Sequence, residues 1–190
     1  MASAIRKRRR ASEVKIRRNE KGFTLIDMLF VCGLIGLLSI IALPRLLLAK
    51  QAAGAASAIG SMRAINSAQL TFALTCGQGF YAPNLTTLGK PPVGSTDKFL
   101  SPNLTTADTI TRSGYIITLV GTPFGSAPAS CNGLVLGESS QGFMAAADPN
   151  ELENKRYFAT NADGQIFEHN ASLLGTMPEV GEPLVGHVLR

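Results

Sequence analysis

The chain has 190 residues, enough for one ordinary domain with an appendage and too few for a multidomain enzyme. Hydrophobic residues make up 45% and charged ones 16%, which excludes a disordered polymer for the bulk of the sequence, and three Cys with two His leave no ligand set for a zinc site. The formal charge of +5 is unevenly placed: the first 22 residues hold nine basic and two acidic side chains, the remaining 168 hold nine basic and eleven acidic. The basicity therefore belongs to a leader, and nucleic-acid binding by the body is disfavoured.

Residues 23–43 form a 21-residue apolar segment whose one ionisable side chain is Asp27. As a helix this segment would measure about 31 Å, the thickness of a bilayer core. It exceeds the apolar region of an ordinary secretory signal and has no small-x-small cleavage site close behind a shorter core. Arg17-Arg18 is the only hint of a twin-arginine signal, and its surroundings do not support one. The excess of Lys and Arg before the span places the N-terminus in the cytoplasm and the body outside it.

The helical pattern outlasts the span. After Pro44 and Arg45, Ile59, Met62, Ile65, Phe72 and Cys76 recur on one helical face, until Gly77 and Gly79 end the run. Pro44 has no amide to offer the carbonyl of Ile40, so a kink or local loosening is expected there. Residues 23–76 thus read as one helix of about 80 Å. A body of this size cannot cover such a rod, so its first half needs lipid or other copies of the chain around it.

Lys21-Gly22-Phe23-Thr24-Leu25-Ile26-Asp27, behind a basic leader and ahead of an apolar helix, resembles the prepilin cleavage motif of type IV pilins and type II secretion pseudopilins. Gly36 and Pro44 fall at the offsets from Phe23 where that family commonly has Gly and Pro. Ser61-Met62-Arg63-Ala64-Ile65-Asn66-Ser67-Ala68-Gln69, Gly77-Gln78-Gly79-Phe80, Arg156-Tyr157-Phe158 and Asp163-Gly164-Gln165-Ile166 look like a pilin-like group with a small C-terminal sheet.

The resemblance implies cleavage after Gly22 by a membrane aspartyl peptidase and, commonly, methylation of the Phe23 amine. It also implies a homo-oligomeric filament with other pilins, whose core is made by the N-terminal helices. The location it implies is the bacterial inner membrane, single-pass with the leader in the cytoplasm, and then a cell-surface pilus or a periplasmic pseudopilus. No enzymatic activity is expected. Where the family usually has Glu, this chain has Asp27. The family's carboxylate meets the free α-amine of a neighbouring subunit, and the cost of burying an unpaired charge gives that role a physical basis. The alternative for Asp27 is a residue of the first helical turn, favoured by the helix dipole.

The fold class expected is α+β, a long N-terminal helix packed by its second half on a small antiparallel sheet. The divisions read along the chain are a leader (1–22), a filament-core or membrane half-helix (23–44), an amphipathic half-helix (45–76), a connecting loop (77–112), a sheet (113–170) and an irregular tail (171–190). Short helical turns are expected near 85–88 and 97–104. Strands are expected at 114–120, weakly at 134–136, and at 142–147, 156–160 and 165–168, with Asn161-Ala162-Asp163-Gly164 joining the last two as a hairpin.

Cys32 lies in the span as a small apolar packing residue. Cys76 and Cys131 both fall on the oxidising side, where a bridge would close a long loop; two independent thiols are the alternative. No cofactor is expected. Asp148, Glu151, Glu153 and Asp163 are candidate Ca²⁺ ligands by likeness to loops of some pseudopilins, but their spacing fits no EF-hand and a solvated acidic turn is favoured. His169 and His187 read as surface imidazoles, and Asp97 with Asp108 as loop carboxylates without a pocket. Two further functions compete with a pilus subunit: a type II secretion pseudopilin, and a signal-anchored extracytoplasmic binding protein outside any filament.

Overall fold

A computed structural model of the chain describes residues 22–151 and 154–189, and the leader call therefore lies outside the described residues except for Gly22. The chain divides into two compact units, one ending at Pro44 and the other beginning at Arg45. One helix, α1 (Leu25–Thr75), contributes to both. Pro44 sits inside α1 rather than ending it. Leu and Ala, both strong helix formers, are the commonest residues of the helix, so propensity and pattern agree over most of its length.

In the second unit α1 buries Ala55, Ala58, Met62, Ile65, Gln69 and Phe72, spaced alternately three and four residues apart. This is the stripe that helical geometry turns toward a partner surface. The partner is a six-stranded antiparallel meander in the order β1 (Thr109–Arg112), β2 (Tyr115–Val120), β3 (Met144–Pro149), β4 (Tyr157–Asn161), β5 (Ile166–His169) and β6 (His187–Val188). Tyr115, Ile117, Leu119, Ala145, Ala147, Phe158 and Ile166 point into the shared core, so the fold is α+β as expected. Completely burying a side chain such as Ile65 or Phe72 stabilises the fold by about 1.5–3 kcal/mol.

The connection from α1 to the sheet carries α2 (Leu85–Leu88) and a 3₁₀ turn at Pro102–Leu104. Asn84 caps α2 by accepting from the Thr87 amide, and the expected turn at 97–104 shrinks to its last three residues. Close packing explains two glycines. A Cβ on Gly54 would sit 2.8 Å from the Ser113 carbonyl oxygen, and one on Gly77 would overlap the Phe80 carbonyl and the Phe72 ring.

Four expectations need correction. The connecting loop ends earlier than 112, because Thr109–Arg112 is a strand paired with residues 115–118. Its turn is Ser113-Gly114, both at positive φ, as a two-residue hairpin with right-handed twist requires. Residues 134–136 are no strand: Leu134 is buried alone, Val135 and Leu136 are exposed, and Gly133 and Gly137 flank them at positive φ. The strand expected at 142–147 occupies Met144–Pro149, where residues 144–147 pair on both sides.

The tail is not irregular throughout. Residues 187–188 form β6 on the edge of β5, so the sheet extends from residue 109 to 188. Leu173 and Met177 bury themselves against Ala146, Ala159 and Phe167 on the sheet face away from α1. The Asn161 side chain donates to the Pro178 and Gly181 carbonyls, and the Glu179 carboxylate accepts from the Thr122 amide and hydroxyl at 2.7 and 2.6 Å. The expected hairpin is present, with the Gly164 amide donating to the Asn161 carbonyl and Gly164 at φ +78°.

Candidate functional site

The N-terminal end of α1 is built by a reciprocal cap. Thr24 precedes the first helical residue, and its hydroxyl accepts from the Asp27 amide at 3.3 Å. The Asp27 carboxylate accepts in return from the Thr24 amide at 3.2 Å and the Thr24 hydroxyl at 2.7 Å. This is a capping box with Asp in the place more often taken by Glu or Gln. Asp27 thus has a partner within the chain at the positive end of the helix dipole, which the sequence reading kept only as an alternative.

Upstream of the cap, Gly22 and Phe23 are exposed, Phe23 at 79%. A scissile Gly22–Phe23 bond here would be approachable, and a Cβ on Gly22 would meet no described atom within 4 Å. Downstream, Leu25, Ile26, Leu29, Phe30, Leu37, Leu38, Ile40 and Ile41 are all exposed. The segment is long and apolar enough to cross a membrane.

Gly33 and Gly36 lie within this apolar stretch, and a Cβ on either would meet nothing within 4 Å among the described residues. Each costs a helix about 1 kcal/mol relative to Ala. None of the described residues explains that cost, whereas Gly on a lipid-facing or helix-facing surface lets another backbone approach closely. Cys32 is a free, exposed thiol in the same stretch.

At the other end of α1, Cys76 and Cys131 form a disulfide with Cα atoms 4.9 Å apart, closing a sequence separation of 55. The Cys131 amide also donates to the Cys76 carbonyl at 3.3 Å. An apolar N-terminal helix followed by a disulfide-bonded body is the arrangement of a membrane-anchored, extracytoplasmic protein.

Two residues of the pilin-like segments, Gln69 and Asn66, fasten the helix to the body, and a third, Arg156, braces the sheet. The buried Gln69 side chain donates to the Ala82 carbonyl at 2.8 Å and accepts from the Ala82 amide at 2.9 Å. Asn66 donates to the Thr160 hydroxyl and the Gly164 carbonyl. Arg156 grips Glu168 through Nε at 2.6 Å and Nη2 at 3.0 Å while lying 5.3 Å from the Phe158 ring centroid. This hydrogen-bonded guanidinium holds the Glu168 carboxyl below the usual carboxylate range. Sequence reasoning marked the segments but missed these jobs, because each partner lies twelve or more positions away, beyond any local pattern.

The candidate Ca²⁺ ligands are not brought together. Asp148 ends β3 and accepts from Ser172, Asp163 lies in the β4–β5 turn at the opposite end of the sheet and accepts from the Gly181 amide, and Glu151 pairs with Lys50. Glu153 lies outside the described residues. Among the described residues no group of three or more His, Cys, Asp and Glu could hold a metal ion. Burial raises the Asp148 pKa despite the Ser172 hydroxyl, and one of its oxygens is buried without a partner. The Asp97 amide donates to the Ser95 hydroxyl, and the Asp108 carboxylate accepts from the amide and hydroxyl of Thr86 in α2, 22 residues earlier.

Comparison with protein-family models, curated proteins and solved structures finds no match to this chain. The pilin-like architecture accordingly stands on the chain's own elements: an apolar N-terminal helix continuing into an amphipathic half that packs on an antiparallel sheet.

Proposed function

We propose that this chain is a structural subunit of a type IV pilus or related pilus-like filament, processed after Gly22 and assembled through α1. The observation that carries the reading is the apolar half of α1, exposed along its length and carrying two glycines that pack against none of the described residues. The resemblance of residues 21–27 to the prepilin cleavage motif supplies the processing step. The partners on this reading are the prepilin peptidase, the bacterial inner membrane, which the apolar half of α1 crosses with the leader on the cytoplasmic side, and further pilin subunits. The body has a structural rather than a catalytic role, and the filament is either a surface pilus or the pseudopilus of a type II secretion system.

Cleavage would free the Phe23 amine four residues before Asp27. Desolvation in a filament core penalises both charges unless they meet, so an amine from one subunit and a carboxylate from the next stabilise each other there. The capping box holds the Asp27 carboxylate at the helix end before that exchange. One observation favours a second reading, a signal-anchored extracytoplasmic protein outside any filament: Thr24 already satisfies Asp27 within the chain. N-terminal sequencing of membrane-extracted protein separates the two. A mature chain beginning at Phe23 is expected; a functional protein retaining Met1 would exclude the processed filament subunit.

A further inference from the structure

The body begins at Arg45, directly after the apolar half of α1, and the contacts of its first helical turns identify which end of the sheet lies beside that start. Lys50 pairs with Glu151 at 2.9 Å, Gly54 packs against the Ser113 carbonyl, and the Ser57 hydroxyl donates to the Ser113 hydroxyl at 3.0 Å. The Asn150 amide donates to the Gly114 carbonyl, and the buried Asn154 side chain donates to the Tyr115 hydroxyl. The β1–β2 turn, the end of β3 and the approach to β4 therefore gather around residues 50–57 of the helix.

This end collects cations. Of the nine basic residues after the leader, Arg45, Lys50, Arg112, Lys155 and Arg156 stand here, all exposed. Three carboxylates of the same end are already engaged: Glu151 by Lys50, Glu168 by two bonds from Arg156, and Asp148 by the Ser172 hydroxyl. A fourth, Glu153, lies outside the described residues. Arg45, Arg112 and Lys155 have no ion pair among the described residues. The rest of the body carries the opposite balance, six carboxylates against four cations, so this is the end that an anionic surface attracts.

We propose that this end of the body docks on the anionic phospholipid headgroups of the membrane that α1 crosses, with Arg45, Lys50, Arg112 and Lys155 meeting the phosphates. The inference rests on α1 being a membrane anchor. Leu46, Leu47 and Leu48 are exposed beyond Pro44, so the apolar surface of α1 runs on to Leu48, and the long Arg45 side chain can reach from within it to the interface. From Leu48 to Gly54 is about 9 Å along a helix, and the headgroup layer on one side of a bilayer is about 5–8 Å thick. Basic side chains at the level of Ser113 cover the remainder. A plane of headgroups asks only that the cations share one end of the body; they need not converge on one ligand. Each basic residue held near an anionic surface shifts the docking equilibrium about fivefold, and the attraction fades within a Debye length of about 8–10 Å.

The test is amide hydrogen exchange of the full-length chain reconstituted in phosphatidylcholine vesicles with and without phosphatidylglycerol. Exchange at 112–114 and 154–156 should slow about fivefold or more in the anionic vesicles, while the loop at 133–137, beside the disulfide, should not respond. About 1 M salt should abolish the slowing, as should Arg112→Gln combined with Lys155→Gln, whereas Lys90→Gln combined with Lys98→Gln, cations elsewhere on the body, should retain it. Unchanged protection of Ala145–Ala147 in the middle of the sheet shows that each variant is folded. Equal exchange in both lipids, equal slowing at 133–137, or slowing that survives the Arg112 and Lys155 substitutions would overturn the proposal. Slowing that follows protein density in phosphatidylcholine alone would assign the cations to a second copy's carboxylates and overturn it too. Carbonate extraction of the same vesicles separates the two readings. A chain released by carbonate contradicts the membrane anchor and the docking together, whereas a retained chain without lipid-dependent slowing overturns the docking alone.

Discussion

Two glycines of the body and two of the apolar half of α1 stand in opposite surroundings. In the body, Gly54 and Gly77 sit where a Cβ would strike a carbonyl oxygen, so internal packing accounts for both. In the apolar half of α1, Gly33 and Gly36 face open space, and so do the large side chains around them. Gly54 and Gly77 answer to other residues of the body, whereas Gly33 and Gly36 meet none of the described residues. A body mutation should therefore be read in stability, and a half-helix mutation in insertion or assembly.

The largest stability effect should come from the disulfide. Cys76→Ser removes a bridge closing 55 residues and should lower the body's unfolding free energy by about 4 kcal/mol on a chain-entropy account, measured by denaturant titration. Membrane insertion of the same variant should be unchanged. A defect of insertion would blur the division between the two units.

A matched glycine pair sharpens it. Gly54→Ala should destabilise the body by about 1–3 kcal/mol, because the new methyl presses on Ser113. Gly36→Ala should favour the helix by about 1 kcal/mol in the isolated chain, by propensity alone, yet reduce assembly or helix association. Thermal unfolding and a filament-yield assay on both variants decide it. Equal behaviour of the two would remove the basis of the contrast.

Much of the fold was legible because its signals are local. The long helix follows from an apolar span running into a three-and-four spacing, and the Asn161–Gly164 hairpin from a turn whose Gly needs positive φ. β1 escaped because Thr109, Thr111 and Arg112 are exposed and only Ile110 is buried, although Ser113-Gly114 was a hairpin signal in plain view. Residues 134–136 misled in the other direction: three apolar residues imitate a strand when no partner strand is at hand. The tail was opaque for a different reason. It is held by Asn161, Glu179 and the burial of Leu173 and Met177, none of which leaves a periodic trace. For Asp27 a place in the first helical turn was the alternative to pairing between subunits, and its cap with Thr24 was not read at all.

Two carboxyls give the body opposite responses to pH. Glu168 has a lowered pKa, so the stability it contributes is present above its unfolded value and is lost as pH falls through the folded one. Asp148 has a raised pKa, so its contribution is present below the unfolded value and lost as pH rises through the folded one. Arg156→Gln should be least stable relative to the unsubstituted chain near neutrality and converge on it towards about pH 3, whereas Asp148→Asn should gain on it between about pH 4 and pH 7. Unfolding curves across that range check both slopes. The smallest effect belongs to Lys50, whose pair with Glu151 is largely exposed; Lys50→Ala should change stability by about 0.5 kcal/mol or less in the same assay.

The central claim is that the N-terminal half of α1 is recognised by other subunits through the Asp27 charge, and Thr24 allows that charge to be separated from its capping role. Thr24→Val removes the hydroxyl of the capping box but keeps the carboxylate, whereas Asp27→Ala removes the carboxylate, and both leave Gly22 and the apolar span intact. The measurement is the amount of sheared surface filament, or of secreted cargo for a pseudopilus, at equal membrane levels of each processed variant. Thr24→Val and Asp27→Glu should assemble and Asp27→Ala should not. Normal assembly by Asp27→Ala, or equal failure of Thr24→Val and Asp27→Ala, would contradict the account and leave Asp27 a helix-end residue alone.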